Sequence, residues 1–161
     1  MKVYLASPFF NKKEKEVKEK VRQRIVELGW ELYDPQAPSA NSVAWEQTNS
    51  DWGIDTFRKD CVAILDCDYV VAIDWGLYGD CGTAWEIGAA YALDKPALVL
   101  VPDETFTIPH SLMVVNGAKN CIAVSRFLTD DNAEFFLDDD YYISEHNEII
   151  KPHFLYGIEQ K

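Results

Sequence analysis

The chain lacks the two glycine-rich cradles with which α/β proteins commonly hold nucleotides. No G-x-G-x-x-G follows its first apolar segment, and no G-x-x-x-x-G-K-[ST] occurs anywhere, which excludes the usual dinucleotide and nucleoside-triphosphate sites. It has no apolar run near the roughly 20 residues of a membrane span. It is also poor in positive charge: 15 Lys and Arg stand against 27 Asp and Glu, for a net charge of −12. Nucleic-acid binding rests on neutralising phosphates, so DNA, RNA and anionic membranes are poor partners, and a neutral small molecule is the easiest ligand to accommodate. The four cysteines (Cys61, Cys67, Cys81, Cys121) form no C-x-x-C pair and read as reduced core thiols. His110, His146 and His153 lie in separate segments without ligand spacing, so neither a metal nor a cofactor is expected. Met1-Lys2-Val3-Tyr4-Leu5 enters a strand directly, so no signal peptide is expected and the location expected is cytoplasmic.

What is present is an alternation of short apolar runs and helical spacing across one expected domain, residues 1–161. Lys2 to Ala6, Trp30 to Tyr33, Tyr69 to Ile73, Ala97 to Val101 and Cys121 to Val124 read as strands. Several are continuously apolar, as suits a parallel sheet covered on both faces. Between them, Lys12 to Leu28, Asp51 to about Leu65, Ala84 to Leu93, Ile108 to Val115 and Phe127 to Phe136 read as helices. The fold class is therefore α/β, a doubly wound, five-stranded parallel sheet with helices on both faces, in the flavodoxin-like order 2-1-3-4-5. Residues Gln36 to Ser50, rich in Pro, Ser, Asn and Gln, suit a loop covering a pocket. The segment from Asp138 to Tyr142 opens a poorly periodic tail, and Lys151 to Ile158 is apolar enough to pack on the body or on a neighbouring subunit.

The chain is organised around Asp80-Cys81-Gly82-Thr83-Ala84-Trp85-Glu86-Ile87-Gly88. A helix apolar nearly all round is normally buried on more than one side, and Glu86 is its lone carboxylate. Two readings of Glu86 stand. Thr83-x-x-Glu86 matches a capping box, a purely structural device. A carboxylate in the first helical turn is also kept ionised by the helix dipole, as a carboxylate nucleophile requires. Asp80 supplies a second carboxylate at the carboxyl end of a strand, where open α/β sheets bind ligands. Asp60 lies at the edge of the buried stripe Ile54, Phe57, Cys61, Ile64, although a solvated flank position would suit an Asp as well. Tyr4, Phe9 and Phe10 add aromatic walls. Two or three carboxylates between aromatic walls are the equipment for cleaving a glycosidic bond, and Phe rings can hold a planar base.

The segments Tyr4-Leu5-Ala6-Ser7-Pro8-Phe9-Phe10, Asp60, and Asp80-Cys81-Gly82-Thr83-Ala84-Trp85-Glu86-Ile87-Gly88, together with the spacing from Asp60 to Asp80 to Glu86, resemble the nucleoside 2-deoxyribosyltransferase family. The likeness runs from Met1 to about Met113 and loosely again over Lys151 to Lys161. It implies a retaining double displacement between nucleobases in nucleotide salvage. Glu86 would carry a covalent deoxyribosyl ester, Tyr4 would orient it, and Asp60 would exchange a proton with the base. Asp80 would hold a sugar hydroxyl, and Phe10 and Trp52 would line the pocket. Family members form homo-oligomers, often hexamers, in which a neighbour completes each site, typically with an Asn before Leu-Met. Here Ser111 precedes Leu112-Met113, a shorter hydrogen-bonding side chain.

Three activities fit these residues: deoxyribosyl transfer between bases, hydrolysis of a deoxynucleoside or deoxynucleotide N-glycosidic bond by the same nucleophile, and non-catalytic binding of a nucleoside or flavin. Asp80 beside the 5′ position would repel a phosphate, and the Ser7-Pro8-Phe9-Phe10 loop carries no Lys or Arg to offset it.

Overall fold

The computed structural model describes residues 1–37, 50–131 and 133. Among these, five parallel strands form one sheet: β1 Lys2–Ala6, β2 Glu31–Tyr33, β3 Tyr69–Ile73, β4 Ala97–Val101 and β5 Asn120–Ala123. Their order is β2-β1-β3-β4-β5, the flavodoxin-like order expected. The connecting helices are α1 Lys12–Glu27, α2 Ser50–Asp66, α3 Cys81–Ala92, α4 Leu112–Gly117 and α5 Val124–Thr129. Residues 38–49 of the expected covering loop, the far end of the expected last helix and the whole C-terminal tail lie outside the described residues.

The alternation of β-strand side chains builds two cores. On one face Tyr4, Ala6, Val70, Ala72, Val99 and Val101 pack against Ile64 of α2, Ile87 and Ala90 of α3, and Val114 and Val115 of α4. On the other, Val3, Leu5, Val71, Ile73, Leu98 and Leu100 meet Val21 and Ile25 of α1 and Phe127 of α5. The crossover through α1 covers one face and those through α2, α3 and α4 the other, as right-handed connections in this strand order require. They leave every loop after a strand at the same end of the sheet.

Several boundaries differ from expectation for identifiable reasons. Helix α3 begins at Cys81 because Asp80 is its N-cap, the carboxylate accepting the backbone N–H of Thr83 at 2.8 Å. The capping box read at Thr83 and Glu86 is therefore absent; the one that forms is Asn11 with Glu14, which starts α1. Helix α4 starts at Leu112 rather than Ile108. Ile108 precedes Pro109 and is pushed out of the helical region, while the Pro109 carbonyl accepts the Leu77 N–H at 2.8 Å. Helix α5 starts at Val124, earlier than expected, because the carboxylate of distant Asp103 accepts both the N–H and the hydroxyl of Ser125 in its first turn. The cysteines are free thiols, but only Cys67 and Cys121 are buried. Cys61 is half-buried, and Cys81, expected in the core, is exposed at the start of α3. Helix α3 itself is buried on one side alone, with Trp85 and Tyr91 exposed on the other.

One buried charge pair ties the sheet's edge to α1. Lys18, 6% exposed, donates from Nζ to Oδ1 of Asp34, 8% exposed, at 2.7 Å. The same oxygen accepts the Gln36 N–H at 2.9 Å and shapes the turn after β2. Removing one partner strands a buried charge, so Asp34→Ala should cost about 3–5 kcal/mol in chemical denaturation. Lys18→Met combined with Asp34→Leu should recover most of that loss, whereas a double variant as unstable as the single one would show that the ion pair was not the cause.

Candidate active site

The carboxyl ends of β1 and β2 and the starts of α2 and α3 enclose a cleft of about 610 Å³. Its walls include Phe9, Phe10, Gln36, Trp52, Asp60, Asp80 and Glu86. Six of the seven sequence-selected site residues thus gather in one place: Phe10, Trp52, Asp60, Asp80 and Glu86 line the cleft, and Tyr4 reaches Glu86 from beneath. Ser111 does not line it; it is the N-cap of α4.

Tyr4 is fully buried in β1 and donates its hydroxyl to Oε1 of Glu86 at 2.5 Å. Burial, then the neighbouring Glu86 charge, drives the phenol far above its usual range, so Tyr4 stays a neutral donor. Glu86 lies six residues after the cap, in the second turn of α3, beyond the reach of the dipole invoked for the first turn. Its acidity is set otherwise. Burial raises its pKa to about 7, the Tyr4 hydrogen bond opposes that rise, and the nearby charges of Asp60 and Asp80 add to it while Lys18 counters them. The expectation of a fully ionised, dipole-favoured carboxylate gives way to one poised near neutrality. Such a carboxylate is partly ionised at working pH and more basic than an ordinary one, as nucleophilic and acid–base roles favour.

Asp60, on the edge of the buried stripe of α2 as expected, is half-buried, and desolvation raises its pKa. It accepts a hydrogen bond from the Tyr33 hydroxyl at 3.1 Å. Asp80 uses Oδ2 for both the N–H and the hydroxyl of Thr83, at 2.8 and 3.1 Å. That arrangement requires Gly82, since a Cβ there would come within 2.8 Å of Asp80 Oδ2. With Oδ2 committed to the cap, Oδ1 is the oxygen left to address a ligand. Phe10 stands 67% exposed at the cleft mouth, stacked on Phe9 with centroids 4.8 Å apart. The Glu14 carboxylate of the α1 capping box accepts the Phe10 N–H at 2.6 Å and so fixes the loop that carries both rings.

Sequence reasoning missed Tyr33, Lys18 and Asp34. Tyr33 aligns with Tyr4 across the β1–β2 ladder, and the two rings stack with centroids 5.5 Å apart and an interplanar angle of 16°. Only the pairing register, which no local pattern records, reveals that match.

The chain matches the family model described as nucleoside 2-deoxyribosyltransferase over residues 3–141. Among solved structures it is similar to the 2-deoxyribosyltransferase of Bacillus psychrosaccharolyticus, at 29% identity and a TM-score of 0.68 over 83% of this chain and 95% of that one. A conserved protein from Enterococcus faecalis V583 shares the fold at 22% identity and a TM-score of 0.66, over 80% and 94% of the respective chains. So does the CMP N-glycosidase of Clostridium botulinum, at 22% identity and a TM-score of 0.55, over 80% and 95%. No curated protein sequence matches the chain.

The Tyr4 hydrogen bond lowers a pKa that burial raises, so removing it must move the midpoint upward. Carbon-13 titration of labelled Glu86 should give a midpoint near the value of about 7 in the unchanged chain and a higher one in Tyr4→Phe. An unmoved midpoint would show that Tyr4 does not control this carboxyl.

Proposed function

Because the chain belongs to the nucleoside 2-deoxyribosyltransferase family, we propose that it transfers the 2-deoxyribosyl group of a 2′-deoxynucleoside to a second nucleobase through an ester on Glu86. The observation carrying this reading is the Tyr4–Glu86 pair in the cleft, with Asp60 beside it. A Glu86 oxygen forms a bond to C1′ as the bond from C1′ to the base nitrogen breaks, and the departing base takes that electron pair. Protonated Asp60 gives the base its proton. In the return step the nitrogen of an incoming base bonds to C1′, Asp60 takes that base's proton, and Glu86 leaves as a carboxylate. Two inversions return the original β configuration. Tyr4 holds Glu86 in line and steadies its charge whenever it is free. Asp80 Oδ1 accepts a sugar hydroxyl, while Phe10 and Trp52 flank the base and sugar.

Net charge in the cleft supports an uncharged substrate. Three carboxylates line it, and among its described lining residues there is no Lys or Arg. A phosphate at the 5′ position would meet repulsion without a counter-charge. Water as acceptor is the runner-up reading for the unphosphorylated nucleoside.

We also infer that a second copy of the chain covers the outer side of α2, α3 and α4. Phe57 and Trp85 pack there with centroids 5.2 Å apart, yet are 53% and 49% exposed, and Met113 is 84% exposed. Exposed apolar surface of this kind marks interaction sites. Ser111 adjoins it, so a neighbour docked on this face would bring Ser111 toward its own cleft. Sedimentation should find an oligomer that Trp85→Glu weakens; a monomer in both forms would remove this inference.

Incubation with thymidine and adenine tests the activity. Deoxyadenosine should form, Glu86→Ala should reduce its formation to the blank, and Asp60→Asn should slow base departure by about 10²-fold or more. Free deoxyribose without deoxyadenosine would favour hydrolysis, and full exchange by Glu86→Ala would remove the ester.

A further inference from the structure

We propose that Tyr33 is a positioning residue for the proton-transferring carboxyl of Asp60, matched by sheet register to the part Tyr4 plays for Glu86. The proposal rests on the transfer reading above. The two tyrosines occupy aligned positions of adjacent parallel strands, and parallel strands set aligned side chains on the same face. Their rings stack nearly parallel, which keeps the two hydroxyls side by side. Each hydroxyl then meets a carboxylate from a different helix: Tyr4 meets Glu86 of α3, and Tyr33 meets Asp60 of α2. The stacked pair therefore spaces nucleophile and acid through one rigid element rather than through two independent helix ends. Fixing Oδ1 of Asp60 leaves Oδ2 as the oxygen that can turn to the base.

The hydroxyl also acts on acidity. The groups bearing on Asp60 are Tyr33 from β2, Lys59 from its own helix, Tyr4 from β1, and Glu86 across the cleft, with Asp80 also on the cleft wall. Burial, then Asp60, and last the adjacent Asp34 raise the Tyr33 phenol to about 12, so Tyr33 remains a protonated donor at working pH. Burial pushes Asp60 up, while the bond from Tyr33 and the charge of Lys59 pull it down. Without the Tyr33 hydroxyl, Asp60 holds its proton to higher pH, and the limb of the pH profile that Asp60 sets moves upward.

Tyr33→Phe keeps the ring and its stacking but removes the donor, and an unchanged melting curve would verify the fold. The variant should be compared with the unchanged chain across pH on two donors, following release of the leaving group in a single turnover without acceptor base, so that only the first half-reaction is read. One is thymidine, whose base needs a proton to leave. The other is 4-nitrophenyl 2-deoxyriboside, whose phenolate leaves without one. With thymidine, the rate of base release should fall by on the order of 10-fold or more from lost alignment, the donor concentration giving half that rate should stay nearly constant, and the limb of the pH profile set by Asp60 should move upward. Turnover of the nitrophenyl donor should stay within about twofold, since no proton transfer is being aligned. Equal losses on both donors, or no change in rate and limb with thymidine, would overturn the role of Tyr33. Glu86→Gln provides the separate check: it should stop both donors. Its turnover of the nitrophenyl donor at the unchanged rate would overturn the ester, while the thymidine pH limb of Tyr33→Phe would still report on Asp60, so the two claims fail independently.

Discussion

One hydrogen bond, from the buried Tyr4 hydroxyl to Glu86, sets the chemistry that this cleft can perform. A carboxyl placed against an apolar core would otherwise resist ionisation, because burial disfavours its charged form. A fully solvated carboxyl would ionise readily but would be a weak base. Burial and the Tyr4 donor act in opposite directions and leave Glu86 near 7. The sheet makes this balance durable. Tyr4 lies in β1, flanked by β2 and β3, and its hydroxyl cannot retreat from Glu86 without disturbing the core on which α2, α3 and α4 rest.

Parallel topology explains why the remaining groups arrive at the same place. Every strand ends on one side of the sheet, so the loop after β1 brings Phe9 and Phe10, the turn after β2 brings Gln36, and the start of α3 brings Asp80. Asp80 illustrates economy of use. One carboxylate oxygen caps the helix that carries Glu86, and the other remains for a ligand. The concentration of negative charge in the cleft raises the affinity of Glu86 for a proton and disfavours anionic ligands. The same electrostatics thus tunes the proposed nucleophile and, on that proposal, favours an uncharged substrate.

The fold was largely legible from local pattern. The limits of β1, β3 and β4 coincide with their apolar runs, because continuous Val, Leu, Ile and Ala between turn signals have few alternatives in a chain of this class. Asp60 and Glu86 were legible as carboxylates placed against apolar stripes. What escaped local reading depended on distant partners. Asp103 starts α5 from 22 residues away, Tyr33 finds Asp60 across 27, and Lys18 finds Asp34 across 16. The start of α3 was misjudged for a local reason: Asp80-Cys81-Gly82 reads as loop until Asp80 is recognised as the cap and Gly82 as the residue that leaves room for its carboxylate.

The account turns on a covalent bond to one oxygen-bearing side chain. Mixing the protein with a 2′-deoxynucleoside in the absence of acceptor base, quenching in acid and sequencing the peptides by mass spectrometry tests it most directly. The account predicts a mass increase of one deoxyribosyl unit on the peptide holding Ala84 to Ile87, localised to Glu86. A deoxyribosyl adduct localised to Asp60, Asp80 or any other residue would contradict it.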